Sequence, residues 1–486
     1  MNFIVLMSDT LRSDHLQPYG SKWVQTPYAS EFAKTAAMFD TCWAGSFPTL
    51  PNRLDLFTGR YGEPIHAWLP LPYGETTLPE VMRKNGYITS LICDTPHLIN
   101  GGHNFDFPFH HWEFIRGQEV DRYGMDDKAV EFPFHDASKV NVTVNNMHTA
   151  QYIRNTRGRV TEEDWATRKT FDTAIRWLEK NARQEKFFLW IDGFDPHEPQ
   201  LPPKKYIDMY DKDYDGQVFL QHVLDANKLS AEELHNIRAR YAGTVTFVDR
   251  LFGRLLEALE DLKLADDTCI VWVSDHGTQL GEHGKVLLKQ VQFNESARTH
   301  LMIRTPNRDG AGKHFKDLVQ PCDLAPTLLD LAGLPVPERM HGKSYLPLLQ
   351  GKPFAAREVA ITGHAGTNRF CGGRFPMVAR DQRWTLVDFP DASKRQLFDH
   401  VADPKQEKNV ATDYPGEVTR LHEAILEFFR THEAQPQLIK RFETGDPGDM
   451  STYRARPVGL EGYDIYFWNI LNSQILPDEN PAVVGD

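Results

Sequence analysis

Three short apolar runs, each delivered onto an aspartate, constrain this chain more than any other feature. They are Phe3-Ile4-Val5-Leu6-Met7 ahead of Ser8-Asp9, Phe187-Phe188-Leu189-Trp190-Ile191 ahead of Asp192, and Cys269-Ile270-Val271-Trp272-Val273 ahead of Ser274-Asp275. Uninterrupted runs of that length suit strands buried on both faces, as in a sheet covered by helices. In such open sheets ligands collect at the carboxyl ends of the strands, where all three aspartates fall. The segments between have helical period. At 162–182, Trp165, Phe171, Ala174, Leu178 and Ala182 trace one face behind Thr161 as a cap. From 231 to about 260, Ser230 and Glu233 form a capping-box pattern ahead of Leu234, Tyr241, Val245, Val248, Phe252, Leu255 and Leu259. Strands alternating with helices predict an α/β fold.

A chain of 486 residues exceeds the size at which one core keeps growing, so a large domain with a smaller one is expected. From about 355 the texture changes to short runs such as Met377-Val378-Ala379 and Trp384-Thr385-Leu386-Val387, then a helical stretch at 416–431. The expected division is a catalytic domain at 1–354, a smaller C-terminal subdomain at 355–434 and a tail at 435–486. The tail's aromatic sequence, Tyr463-Asp464-Ile465-Tyr466-Phe467-Trp468, packs on its own subunit or on a neighbour in a homo-oligomer. The net charge of −13 argues against nucleic acid as a partner, because binding phosphate backbones depends on Lys and Arg. The five cysteines form no C-x-x-C pair, the start lacks a signal-peptide pattern, and no apolar stretch reaches the ~18 residues of a membrane span. These point to a cytoplasmic protein with no membrane partner.

Three segments carry residues suited to chemistry. Asp9 lies just past a buried strand; alone, it reads as a strand-ending cap. In Ser46 to Arg60, Pro51 starts a helix and Gly59 ends it, placing Thr49 near the helix's positive end, where an anion is favoured. The bland alternative is a capping threonine with Arg53 on the surface. Ser274-Asp275-His276-Gly277 follows the third strand, and an adjacent carboxylate and imidazole suit a divalent cation. Combined with Asp9 and Thr49, that pair forms a candidate metal site whose cation would activate the threonine and polarise a P–O or S–O bond.

In order, these motifs resemble the sulfatase family of the alkaline phosphatase superfamily. Thr49-Leu50-Pro51-Asn52-Arg53 through Thr58-Gly59-Arg60 looks like its Cys or Ser-x-Pro-Ser-Arg through Thr-Gly-Arg signature, with the same spacing. Asp275-His276-Gly277 through Gly281-Glu282-His283-Gly284 looks like its later metal motif, and Asp195-Pro196-His197-Glu198-Pro199 like its Pro-His-x-Pro loop. Asp323 to Gly333 and Gln396-Leu397-Phe398-Asp399 with Asp403-Pro404 match further on, so the resemblance covers roughly residues 2–430. It implies an alkaline-phosphatase-like fold, a central mixed sheet flanked by helices with a smaller C-terminal α+β domain. It also implies hydrolysis of a small anionic ester at a divalent cation. By motif position, Asp9, Asp275 and His276 are metal ligands, and Thr49 completes that set while acting as nucleophile. Arg53 orients it, His197 serves the transferring group or leaving oxygen, and Lys289 binds an anionic oxygen, with Lys285 as its competitor. His97 and Arg116 are candidate substrate contacts; His103, His110 and His111 are better read as structural or surface residues.

The chain also departs from the family. Threonine at 49 cannot be oxidised to formylglycine as the family's cysteine or serine is, so direct attack by its hydroxyl is the route left. Thr10 stands where many sulfatases have a second aspartate, a pattern closer to the family's phosphonate monoester hydrolases and phosphodiesterases. Cys93-Asp94-Thr95-Pro96-His97-Leu98 falls where sulfatases show Gly-Lys-x-His-Leu, so the substrate-binding lysine is absent. One metal per chain is expected, manganese or zinc ahead of calcium. A second metal stays open, with Asp192 or Asp195, His197 and His364 as its ligands. The leading expectation is a hydrolase of phosphodiesters or phosphonate monoesters with a threonine nucleophile. The alternatives are a sulfate-ester hydrolase without formylglycine and a non-catalytic anion-binding homologue.

Overall fold

The computed structural model describes residues 1–445, apart from 63, 65–67, 127, 185, 222, 288–292, 365–375 and 435. Eight strands form the main sheet. They are β1 (Asn2–Ser8), β2 (Ala37–Phe39), β3 (Ile88–Cys93), β4 (His111–Phe114), β5 (Phe187–Gly193), β6 (Thr268–Val273), β7 (Leu301–Arg304) and β8 (His314–Phe315). Their order is β8-β2-β7-β6-β1-β5-β3-β4. The run β6-β1-β5-β3-β4 is parallel throughout, whereas β7 is antiparallel to β6, so the sheet is mixed. The three strands predicted from the apolar runs are its centre. Met7 pairs with Asp192 on one side and Val273 on the other, so the strands end in step and their aspartates emerge together.

Both faces of these strands are buried, as uninterrupted apolar runs require. Five helices matter for the layers: α1 (Thr49–Thr58), α2 (Ala166–Asn181), α3 (Ala231–Asp261), α4 (Leu324–Leu331) and α5 (Pro415–Thr431). Ile4, Leu6, Ile191 and Trp272 pack on one face with Phe171 and Leu178 of α2 and Tyr241 and Phe252 of α3. Phe3, Val5, Trp190 and Val271 pack on the other with Leu54 and Phe57 of α1 and Leu328 of α4. The α3 capping box forms as predicted: Glu233 N–H donates to Ser230 Oγ at 3.2 Å and Ser230 N–H to Glu233 Oε2 at 2.7 Å. The helix predicted from 162 divides instead. Thr161 and Asp164 box a single turn at Glu162–Asp164, and the helix proper starts at Ala166. Extended Trp165 separates the two, its indole N–H donating to Leu201 O at 2.7 Å.

The second, smaller sheet is antiparallel through β9 (Ala360–His364), β10 (Met377–Arg380), β11 (Trp384–Asp388) and β12 (Gln396–Asp399). α5 covers it, with Leu421, Ile425 and Phe429 in one core with Ala379, Leu386 and Leu397. Its fifth member comes from far upstream: Ser46 and Phe47 pair in parallel with Gly363 and His364. The smaller sheet therefore grips the backbone just ahead of Thr49. The aromatic stretch Tyr463–Trp468 lies outside the described residues. Among those described, no helix is long and apolar enough to cross a membrane.

Ser230→Ala removes the cap of the longest helix without touching the site. It should cost about 1 kcal/mol, read as a lower urea midpoint with unchanged turnover. An unmoved midpoint would show that the cap is energetically idle.

Candidate active site

Arg53, on the second turn of α1, is fully buried and meets three carboxylates. Its Nε and Nη2 donate to the two oxygens of Asp192 at 3.2 and 2.9 Å, Nη2 also lies 3.1 Å from Asp9, and Nη1 donates to Asp275. Asp9, Asp192 and Asp275 are themselves fully buried. Burial works against the guanidinium's charge, yet Asp192, Asp275 and Asp9 hold its pKa above the ordinary value. Burial likewise opposes ionisation of Asp275, but Arg53 and His276 bring its carboxyl down to about 2. Asn52 adds a second tie from α1, donating to Asp275 O at 3.1 Å. Thr49 opens the helix four residues before Arg53 and so lies on the same helix face. The helix begins two residues earlier than Pro51, after a cis Phe47–Pro48 bond, and Gly59 ends it at φ +64.

Thr10 shows what replaced the family's second acid. Its N–H donates to Asp275 Oδ1 at 3.0 Å and its hydroxyl to Asp9 Oδ1 at 2.7 Å, so one residue orients both carboxylates. This requires φ +64, which a β-branched residue adopts only under local strain. Ligand atoms of Asp9, Asp275 and His276 all lie within 4.8 Å of one another. His276 Nδ1 donates to Gly277 O at 3.0 Å, which turns Nε2 toward the two aspartates, 3.4 Å from Asp275 and 3.9 Å from Asp9. Two carboxylates and an imidazole whose second nitrogen is fixed by a carbonyl fit a divalent cation.

The other predicted residues fall on neighbouring strand ends. His197, after β5, donates from Nδ1 to Glu198 O at 2.5 Å and stacks on Phe194 at 4.2 Å. A carbonyl only accepts, so Nε2 is the nitrogen whose protonation changes. His97, after β3, pairs through Nε2 with Glu119 Oε2 at 2.9 Å. Arg116, after β4, is clamped to Asp121 through Nε and Nη2, both at 2.8 Å, and is not gathered with the metal ligands. His103 donates to His97 O, while His110 and His111 bond Thr89 and Ser90, so all three serve the local chain. Lys289 lies outside the described residues. The second metal set does not assemble among the described residues. Asp192 is taken by Arg53, Thr95 at 2.7 Å and Trp190 at 3.0 Å, and Asp195 by Thr167 and Gln118. Sequence reasoning missed two roles: Asp192 as the guanidinium's anchor, which its place beside Asp9 could have suggested, and Glu119, for which no motif exists.

Comparisons with known proteins agree with this geometry. The family model described as Sulfatase matches residues 1–334, and one described as the C-terminal region of N-sulphoglucosamine sulphohydrolase matches 281–430. Iduronate 2-sulfatase of Mus musculus is 26% identical over 70% of this chain and 70% of its own length. N-acetylglucosamine-6-O-sulfatase of Bacteroides thetaiotaomicron is 24% identical over 93% and 88%. Among solved structures, the phosphonate monoester hydrolase of Agrobacterium radiobacter superposes with a TM-score of 0.67 at 24% identity, covering 89% of this chain and 96% of its own. The corresponding enzyme of Silicibacter pomeroyi gives 0.69 at 24%, covering 88% and 95%.

Arg53→Met leaves three buried carboxylates without their cation. In chelator-treated protein it should cost about 3–5 kcal/mol. Urea unfolding in the presence of chelator measures this, and equal stability of variant and parent would refute the shared-anchor reading.

Proposed function

The chain belongs to the sulfatase family and is a hydrolase of sulfate or phosphate esters; within that class we propose that it cleaves phosphodiesters or phosphonate monoesters with Thr49 as nucleophile. The observation that supports this reading is that Thr49 shares a helix face with Arg53, whose guanidinium meets Asp9 and Asp275 of the Asp9, Asp275 and His276 cluster. A threonine there offers a hydroxyl and no route to an aldehyde, so the reaction needs a centre that accepts an alkoxide directly, and phosphorus does so.

Asp9, Asp275 and His276, with the Thr49 hydroxyl, would hold one divalent cation per chain. Their mixed oxygen and nitrogen donors suit manganese or zinc better than calcium. Bound there, the ion supplies Lewis-acid polarisation of the ester and lowers the pKa of a coordinated hydroxyl. The chain's own residues do the rest. The Thr49 hydroxyl gives its proton to solvent, its oxygen forms the bond to phosphorus as the bond to the leaving oxygen breaks, and His197 Nε2 gives that oxygen a proton. Arg53 stabilises negative charge on the transferring group while anchored by Asp192. Water then attacks the phosphothreonine, giving its proton to His197 Nε2 as the Oγ–P bond breaks, and Thr49 takes its proton back from solvent. A lysine at 289 or 285 and the His97 side would hold the remaining oxygens.

A panel of aryl phosphodiester, phosphonate monoester, phosphate monoester and aryl sulfate, run with several metals, tests this. Thr49→Ala should lower kcat by about a thousandfold or more, with phosphoryl transfer to Thr49 seen by mass spectrometry of quenched turnover. Chelation should abolish activity, and manganese or zinc restore it at a stoichiometry near one. Full turnover by Thr49→Ala removes the nucleophile assignment. A preference for aryl sulfate reverses the order of substrates, a reading the curated sulfatase relatives favour, and no turnover of any ester leaves an anion-binding role.

A further inference from the structure

Glu119 belongs to no motif, yet it is buried and paired with His97. It arrives on the turn after β4, the fifth strand of the parallel block, with Gly117 at φ +108 and Glu119 itself at φ +34. Asp121 fixes that turn, accepting from Gly117 N–H at 2.7 Å and from Arg116. Glu119 Oε1 accepts from Gln221 Nε2 at 3.0 Å, and Gln221 is joined in turn by Thr149 of the helix Val142–Thr156 at 3.4 Å. Its other oxygen, Oε2, meets His97 Nε2 at 2.9 Å. Segments 94–160 and 200–228, in which no substrate pattern is legible, therefore converge through one carboxylate on one imidazole.

The pair has a directional consequence. A carboxylate only accepts, so the ion pair turns Nε2–H toward Glu119 and leaves Nδ1 on the ring's other side. His97 Nδ1 has no hydrogen-bond partner among the described residues, and the side chain keeps 11% exposure. Trp68 and Phe194 pack edge-on against the ring at 5.0 and 5.9 Å. The other titratable groups here are His148 from the helix Val142–Thr156, His197 after β5, and His103, which donates to His97 O. Burial would push the Glu119 carboxyl up, but His97, with His197 and His148, holds it well below the usual range. Burial lowers the pKa of His148 and takes that of His103 down to about 4, so neither competes for the charge. Thr95, two residues before His97, gives its hydroxyl to Asp192 and brings no charge.

We propose that Glu119 is a positioning residue for the hydrolysis: through Nε2 it fixes the His97 ring so that the ring's other nitrogen hydrogen-bonds a non-transferring oxygen of the anionic ester. The proposal rests on the reading of the site as a hydrolase centre with His97 at the substrate.

A double-mutant cycle on the metal-loaded enzyme with an aryl phosphodiester tests it, using Glu119→Gln, His97→Ala and the pair. Glu119→Gln should raise KM by about tenfold and change kcat less than about threefold. On the His97→Ala background the same change should alter kcat/KM by less than about twofold. Equal losses with and without His97 overturn the proposal. If His97→Ala alone leaves kcat/KM unchanged, it is the substrate contact of His97 that fails. Circular dichroism and metal content confirm folding, and Glu119→Asp carries the same cycle should Glu119→Gln unfold.

Discussion

One guanidinium holds the centre of this protein together. Arg53 has no exposure, and Asp9, Asp192 and Asp275 surround it with none of their own. Three carboxylates so close would repel one another at a cost no buried site sustains, and without a cation they would take up protons instead. Arg53 among them offsets that repulsion, and the geometry of the site follows. The guanidinium links α1 to the ends of β5 and β6 and to Asp9 beyond β1. The same contact that satisfies the charges therefore sets where Thr49 stands.

The order of strands converts that anchor into a working surface. Reading from β6 through β1, β5 and β3 to β4, the carboxyl ends contribute Asp275 and His276, then Asp9, then Asp192 and His197, then Thr95 and His97, then Glu119. Asp275, His276 and Asp9 occupy one end of this row and His197 and His97 the other, with the anchored arginine between. The smaller sheet closes the arrangement from behind by pairing β9 with Ser46 and Phe47. Its core is separate from that of the main sheet, but its register decides where the backbone enters α1.

The central strands were legible because burial on both faces leaves an unbroken apolar run, and the gathering of Asp9, Asp192 and Asp275 because they end those runs. The α3 cap was legible because Ser230 and Glu233 are local. What escaped has physical causes. β4 sits at the sheet's edge with His111, Trp112 and Glu113 exposed, so it carries no apolar signature, and the site residue that follows it was lost with it. Trp165 broke a helix whose periodicity continued through it, because one indole hydrogen bond outside the helix is invisible to a pattern. Arg116 has the right residue type for an anion but is held by Asp121, five residues on, and side-chain pairing of that kind follows from the turn rather than from composition.

Two threonines mark how the charge of the site differs from the family pattern that its motifs resemble. Thr10 stands in place of an acid and Thr95 in place of a lysine, so one negative and one positive group are absent together. Neither hydroxyl is idle: Thr10 orients Asp9, and Thr95 secures Asp192 behind Arg53. Removing an acid alone would leave Arg53 and a divalent cation in excess, and removing a lysine alone would leave a dianion underbound. Lost as a pair, they keep the balance between carboxylates and cations near the reacting centre. Fewer fixed charges around the transferring group suit a monoanionic diester, which brings one negative charge where a phosphate monoester brings two.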